Sequence, residues 1–187
     1  MKALYGVADF IADMRRVTGG ESAPEAIIER GKPLLRKLLE NPDCIPAELK
    51  KRGAKAQGRY MIHREPKFNV NVVVWGPGDG LGPHNHDTWG LIGVLENELQ
   101  EKRFRRLDGS AGARTARLEL TGALNNRVGA ISCLLPPDDI HAVLNTTDRN
   151  TVDIHVYGKE LTGLERLKFD PDKGTITTFA SPKYDNC

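Results

Sequence analysis

The sequence predicts a mainly β protein, a small sandwich or barrel, with a helical hairpin packed on it. Three observations predict it. Apolar side chains recur at helical spacing through the first 50 residues. From residue 59 the period changes to two. The short β-rich runs that follow are punctuated by Gly-Pro-Gly-Asp-Gly from Gly76, by Asp108-Gly109, by Asn125-Asn126 and by Pro136-Pro137-Asp138-Asp139.

Leu4, Val7, Ala8, Ile11 and Met14 mark the first helix, which Thr18-Gly19-Gly20 closes. Ser22 is placed to cap a second, with Pro24 in its first turn. Ile27, Ile28, Leu34, Leu35, Leu38 and Leu39 give that helix its apolar stripe, and Asn41-Pro42 ends it. Pro33 is expected to kink or split it. Strands are expected at 68–76, 89–95, 98–107, 114–120, 129–135, 140–145, 150–157 and 174–179, with Tyr60 and His63 together on an earlier one. The charged run Lys102 to Arg106, with Arg64 and Lys67, reads as a solvated edge-strand face. Residues 1–50 form the helical segment and 51–187 the barrel, expected as one folding unit. The segment Ser181–Cys187 is expected to be loosely held. No internal repeat or low-complexity stretch interrupts the chain.

Lys plus Arg is 27 and Asp plus Glu is 25, a net charge of +2. That balance supplies no basic footprint for nucleic acid and no polybasic stretch for an anionic membrane. No apolar run approaches the length of a spanning helix. The first residues carry acids within their apolar part and lack a small-residue cleavage site, unlike a signal peptide. Three widely spaced cysteines, Cys44, Cys133 and Cys187, fit a reducing cytoplasm better than a disulfide framework. Cys133, Trp75 and Trp89 read as core residues, with Trp89 close enough to His86 to buttress it.

Five histidines occur: His63, His84, His86, His141 and His155. On an extended chain the imidazoles of His84 and His86 share one face, with Asn85 and Asp87 on the other. H-x-H alone is a weak signal. Its context strengthens it: Gly78, five residues, then His84-Asn85-His86 resembles the first cupin motif. Pro136-x-Asp138-x-x-His141-x-x-x-Asn145 resembles the second, with Asp in place of Gly. The resemblance implies a jelly-roll barrel holding a metal on His84, His86 and His141. The usual cupin glutamate position falls at Gly90 or Leu91, which leaves three neutral imidazoles. Asp87, the alternative carboxylate, is expected to point outward. Such a ligand set keeps the full dipositive charge on the ion and attracts anionic substrates, but does not name the metal.

The stretches Pro83-His84-Asn85-His86-Asp87-Thr88-Trp89-Gly90 and Asp153-Ile154-His155-Val156-Tyr157-Gly158, with Phe68-Asn69 and Val74-Trp75-Gly76-Pro77-Gly78, resemble the cysteine dioxygenase family of thiol dioxygenases. H-x-H-x-x-W-G and I-H-V-Y-G bring the chain nearer to the bacterial 3-mercaptopropionate dioxygenase branch. The likeness runs over roughly residues 57–170. It implies a mononuclear Fe(II) on His84, His86 and His141, no organic cofactor and no external reductant. The substrates implied are a small thiol and dioxygen, whose two atoms pass to sulfur to give a sulfinate.

The resemblance also implies an outer row, Asp153, His155 and Tyr157, with Tyr157 meeting dioxygen or substrate and His155 orienting it. Aspartate stands where the family has serine, so a charged or strongly oriented His155 is expected. The other reading makes Asp153 a solvated strand-end residue. Gly90 matches the position of the cysteine that crosslinks to the tyrosine in mammalian-type relatives, so no thioether is expected. Arg59 and Arg166 fall where the two branches keep a carboxylate-binding arginine. If both face the metal, a thiol dicarboxylate such as mercaptosuccinate joins 3-mercaptopropionate and cysteine as a substrate. His63 is either at the pocket mouth or simply packed. Nucleic acid and membrane are not expected as partners, and a monomer or weak homo-oligomer is. Two other readings stay open: a three-histidine cupin acting on a non-thiol substrate, and a cupin that binds metal or ligand without turnover.

Overall fold

A computed structural model describes residues 4–53, 56–108 and 114–187. Two helices, α1 (Val7–Gly20) and α2 (Pro24–Leu39), precede eleven strands: β1 (Gly58–Glu65), β2 (Phe68–Trp75), β3 (Gly80–His84), β4 (Gly90–Glu96), β5 (Glu98–Arg106), β6 (Leu118–Arg127), β7 (Ile131–Leu134), β8 (His141–Leu144), β9 (Thr151–Tyr157), β10 (Glu165–Asp170) and β11 (Thr175–Ala180). They form two antiparallel sheets, one ordered β1-β2-β9-β4-β7 and the other β11-β10-β3-β8-β5-β6. The fold is mainly β, a cupin barrel. Among the described residues no helix is long and apolar enough to cross a membrane.

The central strands of the first sheet are buried on both faces, and their sequences alternate accordingly. In β2, Phe68, Val70, Val72 and Val74 join the core cluster that also contains Phe10, Met14, Leu35 and Leu38 of the helices. Asn71, Val73 and Trp75 face the barrel interior. In β9, Val152, Ile154 and Val156 lie on the helix side, while Asp153, His155 and Tyr157 line the interior. The helices therefore cover one face of this sheet, and the polar face of β9 is turned inward. Gly93 lets α2 come close: a Cβ there would stand 2.8 Å from a methyl carbon of Leu39.

Several local expectations are corrected. α2 is continuous through Pro33. Pro33 and Glu29 are both exposed, so the bond that proline cannot make is lost on the solvent side of the helix. Ala23, not Ser22, is the N-cap, and no side chain caps it. In α1 the buried face is Phe10, Met14 and Thr18, and Leu4 lies outside the helix, 68% exposed. Asn125-Asn126 is no turn. It lies within β6, where Asn125 and Asn126 pair with Gln100 and Leu99 of β5, and cross-strand pairing overrides turn propensity. Gly109, the second residue of the expected Asp108-Gly109 turn, lies outside the described residues. β5 is an interior strand, between β8 and β6. Ser181–Cys187 is tied down: Asp185 exchanges two backbone-directed bonds of 2.7 Å with Arg59. Asn186 does the same with Met61 at 2.9 Å.

Candidate metal centre

His84 ends β3 and His141 opens β8, and the two are register partners. His86 lies in the turn after β3. So the H-x-H pair does not meet by strand alternation as the sequence suggests. The turn is folded by Asp139, whose carboxylate accepts the backbone N–H of His86 at 2.6 Å and of Asp87 at 3.0 Å. The three imidazoles offer nitrogen atoms within 4.8 Å of one another, and all are buried. Asp87 turns away, exposed, its carboxylate accepting the Asn85 amide at 2.6 Å.

Each ring is fixed through its Nδ1. That atom faces the carbonyl of Gly82 in His84 (2.9 Å), the carbonyl of Asp139 in His86 (3.2 Å) and the carboxylate of Glu101 in His141 (2.8 Å). All three partners are acceptors, so Nδ1 carries the hydrogen and Nε2 presents its lone pair. Burial, with repulsion from His141, holds the pKa of His84 and His86 below the ordinary value. Burial lowers His141 too, although Glu101 opposes it. Three neutral, pre-oriented imidazole donors fit a dipositive first-row metal ion.

In the sequence Glu101 looks like part of an ordinary charged strand, and the structure gives it a place beside the metal ligands. It is 3% exposed. Besides His141 it accepts from Ser132 Oγ, Asn126 Nδ2 and Arg103 Nε, each at 2.8 Å. Burial alone would raise its pKa, but these donors hold it down to about 2. Arg103 also donates to the Cys133 carbonyl at 2.8 Å, so the expected solvated face is partly an inner one.

The row on β9 faces the same interior. His155 Nδ1 lies 2.8 Å from Tyr157 Oη, and the Tyr157 ring stacks on His86 with 5.5 Å between centroids. Burial pushes the Tyr157 phenol up. Asp153 is fully buried, which overturns its reading as a solvated residue. Its carboxylate accepts Trp75 Nε1 at 3.0 Å and lies 3.7 Å from His155 Nε2. Gly90 pairs with Tyr157 across the sheet, and a Cβ there would stand 2.8 Å from two of its ring carbons.

Arg59 of β1 and Arg166 of β10 line the same cavity as the three histidines and the β9 row. They are 7% and 2% exposed. Arg166 donates to the Asn85 carbonyl at 3.0 Å and to Ser181 Oγ at 2.5 Å, and its Nε has no partner. Burial draws its pKa down, and Arg59 adds to the effect. The cavity is about 70 Å³. His63 does not line it. Its ring bonds to Glu65 at 2.9 Å. Trp89 is buried in the core, and Cys133 packs at its margin, its thiol pushed up by burial.

A cupin barrel with three buried imidazoles converging on one point, and a polar row beside them, defines a metal-binding cupin. The chain belongs to the cysteine dioxygenase type I family, whose model matches residues 51–168. Several solved structures match it at low identity. A conserved double-stranded β-helix protein from Klebsiella pneumoniae is 14% identical, with 73% of this chain and 88% of that one covered and a TM-score of 0.46. An oxalate oxidase in complex with glycolate is 16% identical, covering 62% and 59%, with a TM-score of 0.45. A protein from Thermus thermophilus is 12% identical, covering 59% and 90%, with a TM-score of 0.47.

Proposed function

We propose that the protein is an iron-dependent thiol dioxygenase that converts a small carboxylate-bearing thiol to its sulfinate. The substrate would be of the 3-mercaptopropionate, cysteine or mercaptosuccinate type, and the H-x-H-x-x-W-G and I-H-V-Y-G motifs favour the 3-mercaptopropionate branch. The observation that carries the reading is that two buried arginines, three converging histidines and the His155–Tyr157 pair all line one small cavity. Family membership supports it.

His84, His86 and His141 would hold the ion. Ferrous iron, when bound there, supplies the redox chemistry that adds dioxygen to a thiolate sulfur. The chain's own residues do the rest. Glu101, Asp139 and the Gly82 carbonyl hold the imidazoles in position. Arg59 and Arg166 anchor substrate carboxylate by charge-assisted bonds. A cavity of this size admits a thiol of a few heavy atoms. Tyr157 Oη, donating to His155 Nδ1, turns its lone pairs to the cavity, where they can take the thiol proton. As it does, the tyrosine's own proton passes to His155 Nδ1, giving an imidazolium whose Nε2 lies 3.7 Å from the Asp153 carboxylate. Cytoplasmic action as a monomer or weak homo-oligomer completes the reading.

The test is oxygen uptake by the Fe(II)-loaded protein with 3-mercaptopropionate, L-cysteine, cysteamine and mercaptosuccinate, the product being weighed by mass spectrometry. A sulfinate formed with stoichiometric oxygen uptake is expected from a carboxylate-bearing thiol. Bound iron with no uptake from any of the four overturns the reading.

A further inference from the structure

The end of β11 and the segment that follows it touch both arginines. The ring of Tyr184 lies under Arg59, 4.7 Å from its Cζ, and Arg59 Nη1 donates to the Pro182 carbonyl. Asp185 brackets the Arg59 backbone with two bonds of 2.7 Å. On the other side, Phe179 lies 4.5 Å from Arg166 Cζ, and Ser181 Oγ takes an Arg166 bond. Tyr184 is itself pinned: it is 6% exposed, and its hydroxyl donates to Glu160 at 2.9 Å. The two guanidinium groups come from different sheets, Arg59 from β1 and Arg166 from β10, where Phe179 of β11 is its register partner. One short segment fixes both. It lies beyond residue 168, where the family match ends.

We propose that Phe179–Asp185 is the element that determines substrate selectivity, positioning Arg59 and Arg166 as one receptor for the carboxylate of the thiol. This rests on the reading of the arginines as substrate anchors. Tyr184 and Ser181 are positioning residues. An aromatic face under a guanidinium restrains its plane while leaving its in-plane donors to the ligand. Arg166 lines the cavity with Nη1 and Nη2 each occupied once, and its Nε is buried and unpartnered.

The experiment is anaerobic calorimetry on the metal-loaded protein with 3-mercaptopropionate and with cysteamine, which has no carboxylate. Tyr184→Leu, Ser181→Ala and a chain lacking residues 181–187 are compared with the unmodified protein. Metal content and thermal midpoint are read alongside. Tyr184→Leu and the shortened chain are expected to raise the Kd for 3-mercaptopropionate by about tenfold, the scale of one charge-assisted contact. The Kd for cysteamine should stay within about twofold. Tyr184→Phe, which keeps the ring, should restore the affinity. Where the shortened chain does not fold, Ser181→Ala and Tyr184→Leu carry the test. An unchanged Kd for 3-mercaptopropionate, or an equal loss for both thiols, overturns the proposal. So does an unmodified protein that binds the two thiols alike. Protein that prefers 3-mercaptopropionate yet takes up no oxygen fails as a dioxygenase, while the segment's role is still judged by the ratio of the two Kd values.

Discussion

Glu101 Oε1 lies 2.8 Å from Nδ1 of His141, and both side chains are buried. The contact joins β5 to β8, 40 residues apart in sequence, and makes a carboxylate–imidazole pair behind one metal ligand. Such a pair fixes ring orientation and raises ligand basicity. Glu101→Gln keeps an acceptor but loses the charge, and should weaken metal affinity by roughly tenfold. Glu101→Ala should weaken it by up to roughly a hundredfold. Competition with a coloured chelator measures both. Equal affinities in all three proteins would show that Glu101 does not act on the ligand.

Gly90 and Tyr157 are paired so closely that no side chain fits between them. Gly90→Ala must displace the phenol ring, because the added carbon would stand 2.8 Å from two ring atoms. Turnover should fall about tenfold or more, the scale of a misplaced catalytic group, with metal content unchanged. Tyr157→Phe should lower kcat by roughly a hundredfold, the lower end for a lost proton-transfer group. Full activity in Gly90→Ala would mean that the ring position is not critical.

Arg59→Gln and Arg166→Gln should each raise KM for 3-mercaptopropionate by roughly ten- to a hundredfold, as the loss of a hydrogen bond to a charged group implies. For mercaptosuccinate, if it is turned over, both substitutions should matter. For cysteamine, which has no carboxylate, neither should. Steady-state kinetics on these enzyme–substrate pairs would assign the arginines.

Glu160 gives a pH dependence whose sign can be worked out. Burial opposes its ionisation, but bonds from Thr162, Arg64 and Tyr184 outweigh it and hold the pKa below 4.5. A carboxyl whose folded pKa is depressed stabilises the fold at pH values above its unfolded value. That contribution is lost as pH falls through the folded value. The attachment of Tyr184 should therefore loosen below about pH 4.5 and not above it. Proteolysis of the segment around Lys183, followed against pH, should show this acid limb, and Glu160→Gln should abolish it. A profile identical in the two proteins would contradict the assignment.

What could be read directly from the sequence was what depends on near neighbours. The alternation of β9 put Asp153, His155 and Tyr157 on one face, and the interior cavity receives all three. The two histidine motifs led to His84, His86 and His141, which converge. Counting from the motifs reached Arg59 and Arg166. What escaped was set by distant pairing. Glu101 sits in the run Glu98–Arg106, which looks solvated until β8 and β6 flank it. Asp139 reads as a turn residue, and only the folded turn shows it holding His86. β3 and β10 are short and carry glycine, proline or charge where strands usually carry branched side chains. Ser181 to Asn186 has turn-like composition, and its hold on Arg59 spans more than a hundred residues of chain.

Trp75 has a consequence beyond its hold on Asp153. The chain has only two tryptophans. Trp75 lines the cavity with its indole N–H on a buried carboxylate, and the Trp89 carbonyl accepts the Gly158 N–H, one residue past Tyr157. Part of the tryptophan emission of this protein therefore originates at the cavity. Quenching would report occupancy of the centre without any added label. An unfolding curve followed by tryptophan emission would record the cavity through Trp75 and the helix-covered core through Trp89.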